Sequence, residues 1–362
     1  MKKLIKILAL SLCIGTAATL TSCVELVHPK YFSYSLSEPA LVIEYAEVGT
    51  AEEFATAILA GENVKLTESL QFPSEEELEQ MEISKFEIAR TAEITINLNG
   101  YNLSSPDETT VCQIGNLGAL TLTGNGTVSN VSIVNLGEMI VEEGVTIELT
   151  TATENDLILN MGNLHIKGGT FKNLCAGEEN DINEVSCLNN QANSSVTIDG
   201  GLFQNDTPNA FAITSSGEMT INNATVLSQC GAVEITGGTA TVENGTFYAS
   251  KYYGLFVADS AETTVNGGNF FGVEKNTDVY VDAGGELILN GGTMTNNKIV
   301  NLGTIVIETG SSLSVDSIEN KENGTITDNR VAPEEPETPE GGEGEPEGDG
   351  ENAPEGGEGE NA

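Results

Sequence analysis

Any chemistry in this chain would come from a few groups of side chains. The first is aromatic: Tyr248, Tyr252 and Tyr253 crowd together just after Phe247, and Phe271 and Tyr280 follow. Exposed tyrosine rings stack on the apolar side of a pyranose, so this group could hold a glycan; packing of a corner loop is the competing reading. The second group is acidic. Glu178, Glu179 and Asp181 fall in one short run, and Glu262 and Glu286 stand 24 residues apart. Their oxygens could hold Ca2+, but residues 178–184 lack the Asp-x-Asp spacing and the glycine of a calcium loop, and a solvated acidic loop would read the same way. The third group is the cysteines. Cys175 and Cys187 flank the acidic run, so a disulfide between them is open in an oxidising compartment; Cys112 and Cys187 share a phase about three coils apart, too far to pair with each other, and read as small core residues. The two histidines, His28 and His165, lie far apart, and neither has partners for a triad or a zinc site.

Charge narrows the partners. Fifty-five acidic residues face 14 basic ones, a formal charge of −41. Nucleic-acid binding rests on cationic contacts to phosphate, so a DNA or RNA partner is excluded. Part of the charge belongs to the far end, where residues 331–362 hold twelve Asp or Glu, five Pro and no Lys or Arg. Such a segment has too little apolar surface to offset its ordering entropy and is expected to be a disordered acidic tail. The beginning reads differently. Lys2 and Lys3 precede an apolar run over residues 4–20 that is broken only by Lys6 and small residues, the layout of a secretory signal. The run ends in Leu20-Thr21-Ser22-Cys23, which resembles a bacterial lipobox, and this implies lipid attachment at Cys23 and a membrane anchor. The expected domain plan is a leader over 1–22, a tether over 23–48, a cap region over 49–89, a repeat body over 90–330 and the tail. Setting aside the tail's acids and the leader's lysines leaves −32 for residues 23–330.

A repeat organises the body. Asn116-Leu117-Gly118, Asn135-Leu136-Gly137, Asn160-Met161-Gly162, Ser215-Ser216-Gly217, Thr236-Gly237-Gly238, Ala283-Gly284-Gly285 and Asn301-Leu302-Gly303 are copies of one turn phrase. An apolar anchor follows six residues after each start, Ile198 and Val265 fit the same register behind a weaker glycine, and the nine anchors from Leu122 to Ile307 are separated by 19, 25, 32, 23, 21, 23, 24 and 18 residues. That interval suits one coil of a solenoid, and alternation with period two makes each rung a strand. The fourth and sixth positions are apolar and face inward. The fifth reads Thr121, His165, Thr197, Thr220, Thr241 and Thr264, an outward column of hydroxyls with one imidazole. A further stack, Phe171, Phe203, Val226, Phe247, Phe270 and Met294, follows glycine-rich corners and should pile up along the axis at about 4.8 Å per coil. Glu262 and Glu286 share a phase, so two like charges should lie on adjacent coils and repel unless a cation or water separates them.

The pattern resembles the right-handed parallel β-helix of the pectate-lyase-like superfamily over residues 90–330, in its bacterial surface members. It implies an all-β solenoid of about ten coils. Thr50-Ala51-Glu52-Glu53 has the form of a capping box opening a short helix closed by Gly61, a natural cap for the first coil. Residues 74–77 predict a second helical turn. Enzymes on this scaffold use an Arg or Lys base beside calcium, or closely spaced Asp residues with Gly-His-Gly and Arg-Ile-Lys signatures. Here the only arginines are Arg90 and Arg330, near opposite ends of the body, and neither signature occurs. The expectation is a lipid-anchored envelope protein that binds or displays, adhesin-like, contacting an extracellular glycan or another envelope component, without catalysis. The alternative is a diverged polysaccharide lyase or glycoside hydrolase with its acids at Glu262 and Glu286.

Overall fold

The computed structural model describes residues 43–80, 86–107, 109–175 and 185–330. From Tyr45 onward they belong to one compact unit built as a parallel β-solenoid. Each coil lays down up to three strands. In one coil these are Val131–Asn135, Glu138–Val141 and Val145–Leu149, and each pairs in parallel with its counterparts one coil away. We refer to the faces they build as face 3, face 1 and face 2. Face 1 is the most regular, with thirteen strands in unbroken order from Ala46–Val48 to Thr325–Asp328. The end of the expected tether therefore already contributes a rung.

The inward positions fill as alternation requires. Leu120, Met139, Leu164, Val196, Met219, Leu287 and Ile305 are buried, and Phe171 lies flat on Phe203 with ring centroids 4.6 Å apart. Phe247 and Phe270 repeat this at 4.8 Å, with Val226 between the two pairs in register. Burying each such ring contributes roughly 1.5–3 kcal/mol. On the outer side, Thr197, Thr220, Thr241 and Thr264 are direct neighbours on successive strands. Glycine is required where coils touch: a Cβ on Gly137 would meet the Gly118 carbonyl oxygen at 2.0 Å. In the pairs before the Phe stack, the second glycine takes the left-handed conformation, as at Gly169 with φ +102° and Gly201 with φ +123°.

The first coil is closed by helix α1, Ala51–Leu59. The Glu53 amide donates to Thr50 Oγ1 at 3.2 Å and the Gly49 amide donates to Glu53 Oε2 at 2.9 Å, a reciprocal cap shifted by one residue from the ideal box. Its apolar side seats Phe54 against Phe86 and Phe72, at centroid distances of 5.7 and 6.2 Å. A shorter helix α2, Glu75–Gln80, is capped by Ser74, whose amide and hydroxyl both donate to Glu77.

Two expectations need correcting. The turn phrase does not hold one register. The residue ending each face 3 strand runs Asn116, Asn135, Asn160, Asn190, Ser215, Ile235, Val257, Val281, Asn301 and Asn320, so Thr236 and Ala283 are corner residues beyond that column. The asparagines form a buried ladder: Asn116 Nδ2 donates to Asn135 Oδ1, Asn135 to Asn160 and Asn160 to Asn190, each at 2.7 Å, and Asn190 donates to Ser215 Oγ at 3.0 Å. The second amide hydrogens go to strand carbonyls such as Glu138 and Asn163, so these buried amides are satisfied on both sides. The second correction is that Cys175 and Cys187 are free thiols. Cys175 Sγ donates to the Thr151 carbonyl at 2.8 Å, whereas Cys187, buried within the coil, points to the Gln204 carbonyl at 3.2 Å. Flanking one insertion says nothing about side-chain direction, and these two are committed to different carbonyls. Burial pushes the Cys175 thiol up to about 11 and raises Cys187 as well.

Candidate functional site

Face 3 is where the solenoid departs from regularity. Its outward column reads Asn189, Thr214, Glu234, Phe256, Tyr280, Val300 and Glu319 on successive coils, passing from polar to aromatic to acidic. Phe256 and Tyr280 lie nearly parallel, 7° apart in plane and 5.5 Å between centroids. Tyr253, on the preceding corner, stacks on Tyr280 at 5.0 Å and on Phe256 at 5.9 Å, and Phe211 approaches Phe256 at 6.1 Å. All four rings are half-buried, leaving part of the platform open. Parallel stacking at these distances fixes the rings without help from a ligand.

A groove of about 600 Å³ runs beside the platform, lined by Tyr253, Tyr280, Val300 and three lysines, Lys275, Lys298 and Lys321. Lys275 sits in a short 3-10 turn, Glu274–Asn276, with left-handed φ of +50°. Asp278 occupies the irregularity in the next strand and accepts the Gly272 amide at 2.8 Å, which shapes the turn above the groove. On the floor, Glu319 is gripped by Lys298 at one carboxylate oxygen and Lys321 at the other. Those hydrogen bonds, Lys298's first, hold its carboxyl down at about 2. Burial pushes the Tyr253 phenol up to about 12, helped by Tyr280 and Glu274, and burial raises Tyr280 too. Both hydroxyls therefore stay protonated as donors at neutral pH.

The sequence candidates separate on this frame. Tyr253 and Tyr280 meet in the groove. Tyr252 is not part of its lining; its ring lies 6.2 Å from that of Tyr253, with Lys251 Nζ 5.3 Å over it. Tyr248 belongs elsewhere: it follows Phe247 on face 2, points out between Leu227 and Phe271, and its ring lies 6.5 Å from that of Phe271. Glu262 and Glu286 are direct neighbours on face 1, as their phase predicts, and are flanked by Thr239 and Thr304. Among the described residues no group of three or more His, Cys, Asp or Glu is placed to hold a metal ion. Glu178, Glu179, Asp181 and Cys23 lie outside the described residues.

His165 does have a partner. Its Nε2 is 2.6 Å from Asp199 Oδ2, and Asn222 donates to the other Asp199 oxygen at 2.6 Å. The Asn222 bond, then the His165 bond, hold the Asp199 carboxyl below the usual carboxylate range. His165 stands on the outer side of face 1 between Ile140 and Thr197, and the pair supplies the carboxylate and imidazole of a triad. Another hollow, of about 530 Å³, passes over Asn163, Ser195, Ser216, Glu218 and Thr239 and has no aromatic wall.

Phe256, Lys275, Lys298 and Lys321 are not singled out by the sequence motifs, yet a signal is there. Lys251, Lys275, Lys298 and Lys321 are spaced by 24, 23 and 23 residues, and Phe256 and Tyr280 by 24, which is the coil period. A residue type recurring at the period of a solenoid lies on one side of it. Comparison of the chain with protein-family models, with curated proteins and with solved structures gave no match.

Proposed function

We propose that this protein is a lipid-anchored cell-envelope scaffold that binds an extracellular glycan in the face 3 groove and carries out no catalysis. The observation that carries this reading is the stacked platform of Tyr253, Phe256 and Tyr280 along a groove open to solvent. A rigid aromatic surface costs little conformational entropy on binding and offers a sugar ring its apolar face. Donors at the rim, the two tyrosine hydroxyls and three lysines, would set orientation. The leader pattern and Leu20-Thr21-Ser22-Cys23 support anchoring through Cys23, which would carry the groove outward from a membrane.

A glycan array probed with the chain from Val24 onward tests the binding. Retention of one glycan class, reduced about tenfold by Tyr280→Ala, is expected from the worth of a stacking ring. Retention that ignores Tyr253→Ala and Tyr280→Ala would move the site off face 3. Release of new reducing ends or unsaturated sugar by the protein, lost in Glu286→Gln, would favour the polysaccharide-cleaving alternative. Labelled palmitate incorporated by the parent and not by Cys23→Ser checks the anchor.

A further inference from the structure

The groove holds a charge arrangement that goes beyond a sugar platform, and the ligand preference it implies rests on that platform being a sugar site. In a chain of charge −41, three of 14 basic residues line one groove on consecutive coils. Two of them are already satisfied by a protein carboxylate, since Glu319 gives one oxygen to Lys298 and the other to Lys321. The third, Lys275, is 83% exposed and only 3.5 Å from Glu274, a loose surface pair. Glu322 lies on the rim as a second acid.

Glu319 therefore acts as a resident competitor. An incoming carboxylate would replace one single negative charge by another, within a body that repels anions overall, and would gain almost nothing. A phosphate monoester differs: near neutral pH it carries about −1.5 to −2 charges and three strong acceptor oxygens. It could give one oxygen to Lys298 and one to Lys321, and turn the third toward Lys275. The ring bearing that phosphate would then fall beside Tyr253 and Tyr280, whose hydroxyls are available as donors.

We propose that the face 3 groove selects a phosphorylated sugar, with the phosphate displacing Glu319 from Lys298 and Lys321 while the sugar ring lies on Tyr280 and Tyr253. Glu319 is in this view a specificity-determining residue: it closes the lysine pair to weaker anions.

The test is titration of the full chain, followed calorimetrically, with glucose 6-phosphate, glucose 6-sulfate, glucuronate, inorganic phosphate and a neutral gluco-oligosaccharide. Glucose 6-phosphate should bind at least tenfold more tightly than the sulfate or the uronate, and more tightly than inorganic phosphate. Lys321→Ala should remove about tenfold of that affinity and weaken the neutral sugar far less, so that the preference for phosphate over the neutral sugar shrinks. Lys298→Gln, on the neighbouring coil, should repeat the loss if Lys321→Ala proves poorly folded. Glu319→Gln should tighten all three anionic sugars and shrink the preference for phosphate. Equal binding of glucuronate and glucose 6-phosphate, or a Glu319→Gln variant with unchanged selectivity, would overturn the proposal. Binding of the neutral sugar, lost in Tyr280→Ala, without any gain from phosphate would sink this inference and spare the platform. Binding of inorganic phosphate as tight as that of the sugar phosphate would sink it by removing the ring from the site. Failure of every sugar would end both.

Discussion

The two ends of the solenoid are finished in opposite ways. At the first coil, α1 lays Phe54 on Phe72 and Phe86, and Phe54 is 0% exposed. In the last strand among the described residues, Thr325–Asp328, all four residues are exposed, and the inward-phased Ile326 is 38% exposed although its predecessors Ile305 and Leu287 are buried. The corner column follows this division only in part. It is a continuous polar ladder from Asn116 to Ser215, apolar at Ile235, Val257 and Val281, and returns for one step at Asn301, whose Nδ2 donates to Asn320 Oδ1 at 2.7 Å. The aromatic and lysine groove occupies the second half, where corners lengthen and a strand is interrupted. The aromatic cap and the longer run of the ladder lie toward one end, and the exposed aromatic and lysine chemistry toward the other, where the ladder shrinks to the single step from Asn301 to Asn320. Local stability in a solenoid is a sum over neighbouring coils, so the ends are free to differ.

The sharpest way to break this comparison is to unseal the closed end. Phe54→Ala removes a buried ring from a three-ring cluster and should cost about 3–5 kcal/mol, with a lower thermal midpoint and early loss of amide protection in the strand Val64–Leu66. Ile326→Ala at the open end should shift the midpoint far less, because much of that side chain already meets water. Equal losses would mean that the two ends are energetically alike. Next in size is Asn160→Ala. It leaves Asn135 Nδ2 without one acceptor and Asn190 Oδ1 without its ladder donor, both in the buried interior, for an expected cost of about 2–3 kcal/mol by chemical denaturation. A loss below about 0.5 kcal/mol would show that the ladder is ornamental.

How much of this was written in the sequence depends on what repeats. The Phe171, Phe203, Phe247 and Phe270 stack was legible because a large residue returns at one phase behind a glycine corner. The helix was legible because Thr50 and Glu53 carry a capping pattern. The corner register was not: a fixed offset of six from the anchor fails when the corner after Ile235 or Val281 is longer by one or two residues than the corner after Asn301. Tyr248 lies beside Phe271, as grouped, but away from Tyr253 and Tyr280, for a related reason. It precedes the corner and Tyr253 follows it, so five residues of separation place them on different faces. The lysines of the groove were hidden by summation, since a net charge conceals where the few positive charges gather. The thiols at Cys175 and Cys187 turn on side-chain direction, which sequence proximity does not encode.

A smaller effect sharpens the same contrast from inside the core. Thr263 takes an inward position between Ala240 and Leu287, and its buried hydroxyl has no hydrogen-bond partner. Thr263→Val keeps the shape and removes the unsatisfied group, so it should raise stability by about 1 kcal/mol. A melting midpoint that falls would mean the hydroxyl is satisfied after all.

The smallest expected effect is in pH, and there the two halves should respond with opposite sign. Asp156, near the ladder, has its carboxyl raised by burial, although the Ser186 amide and Asn189 side chain, each at 2.8 Å, pull the other way. A raised carboxyl contributes stability that is complete below its unfolded value of about 3.9 and is lost as pH rises through the folded value. Glu319 is the reverse. Its carboxyl is depressed to about 2, so its contribution is present above the unfolded value and lost as pH falls toward the folded one. Both lysine pairs are solvent-screened, which keeps this contribution small. Between about pH 5 and pH 3, amide protection factors of Ser314–Asn320 should therefore fall relative to those of Ile158–Asn160. Glu319→Gln should abolish the fall at the open end, and Asp156→Asn should flatten the opposite trend beside the ladder. Parallel changes at both places, or a trend indifferent to Glu319, would mean that acid acts through the overall charge of the body and not through these two carboxylates.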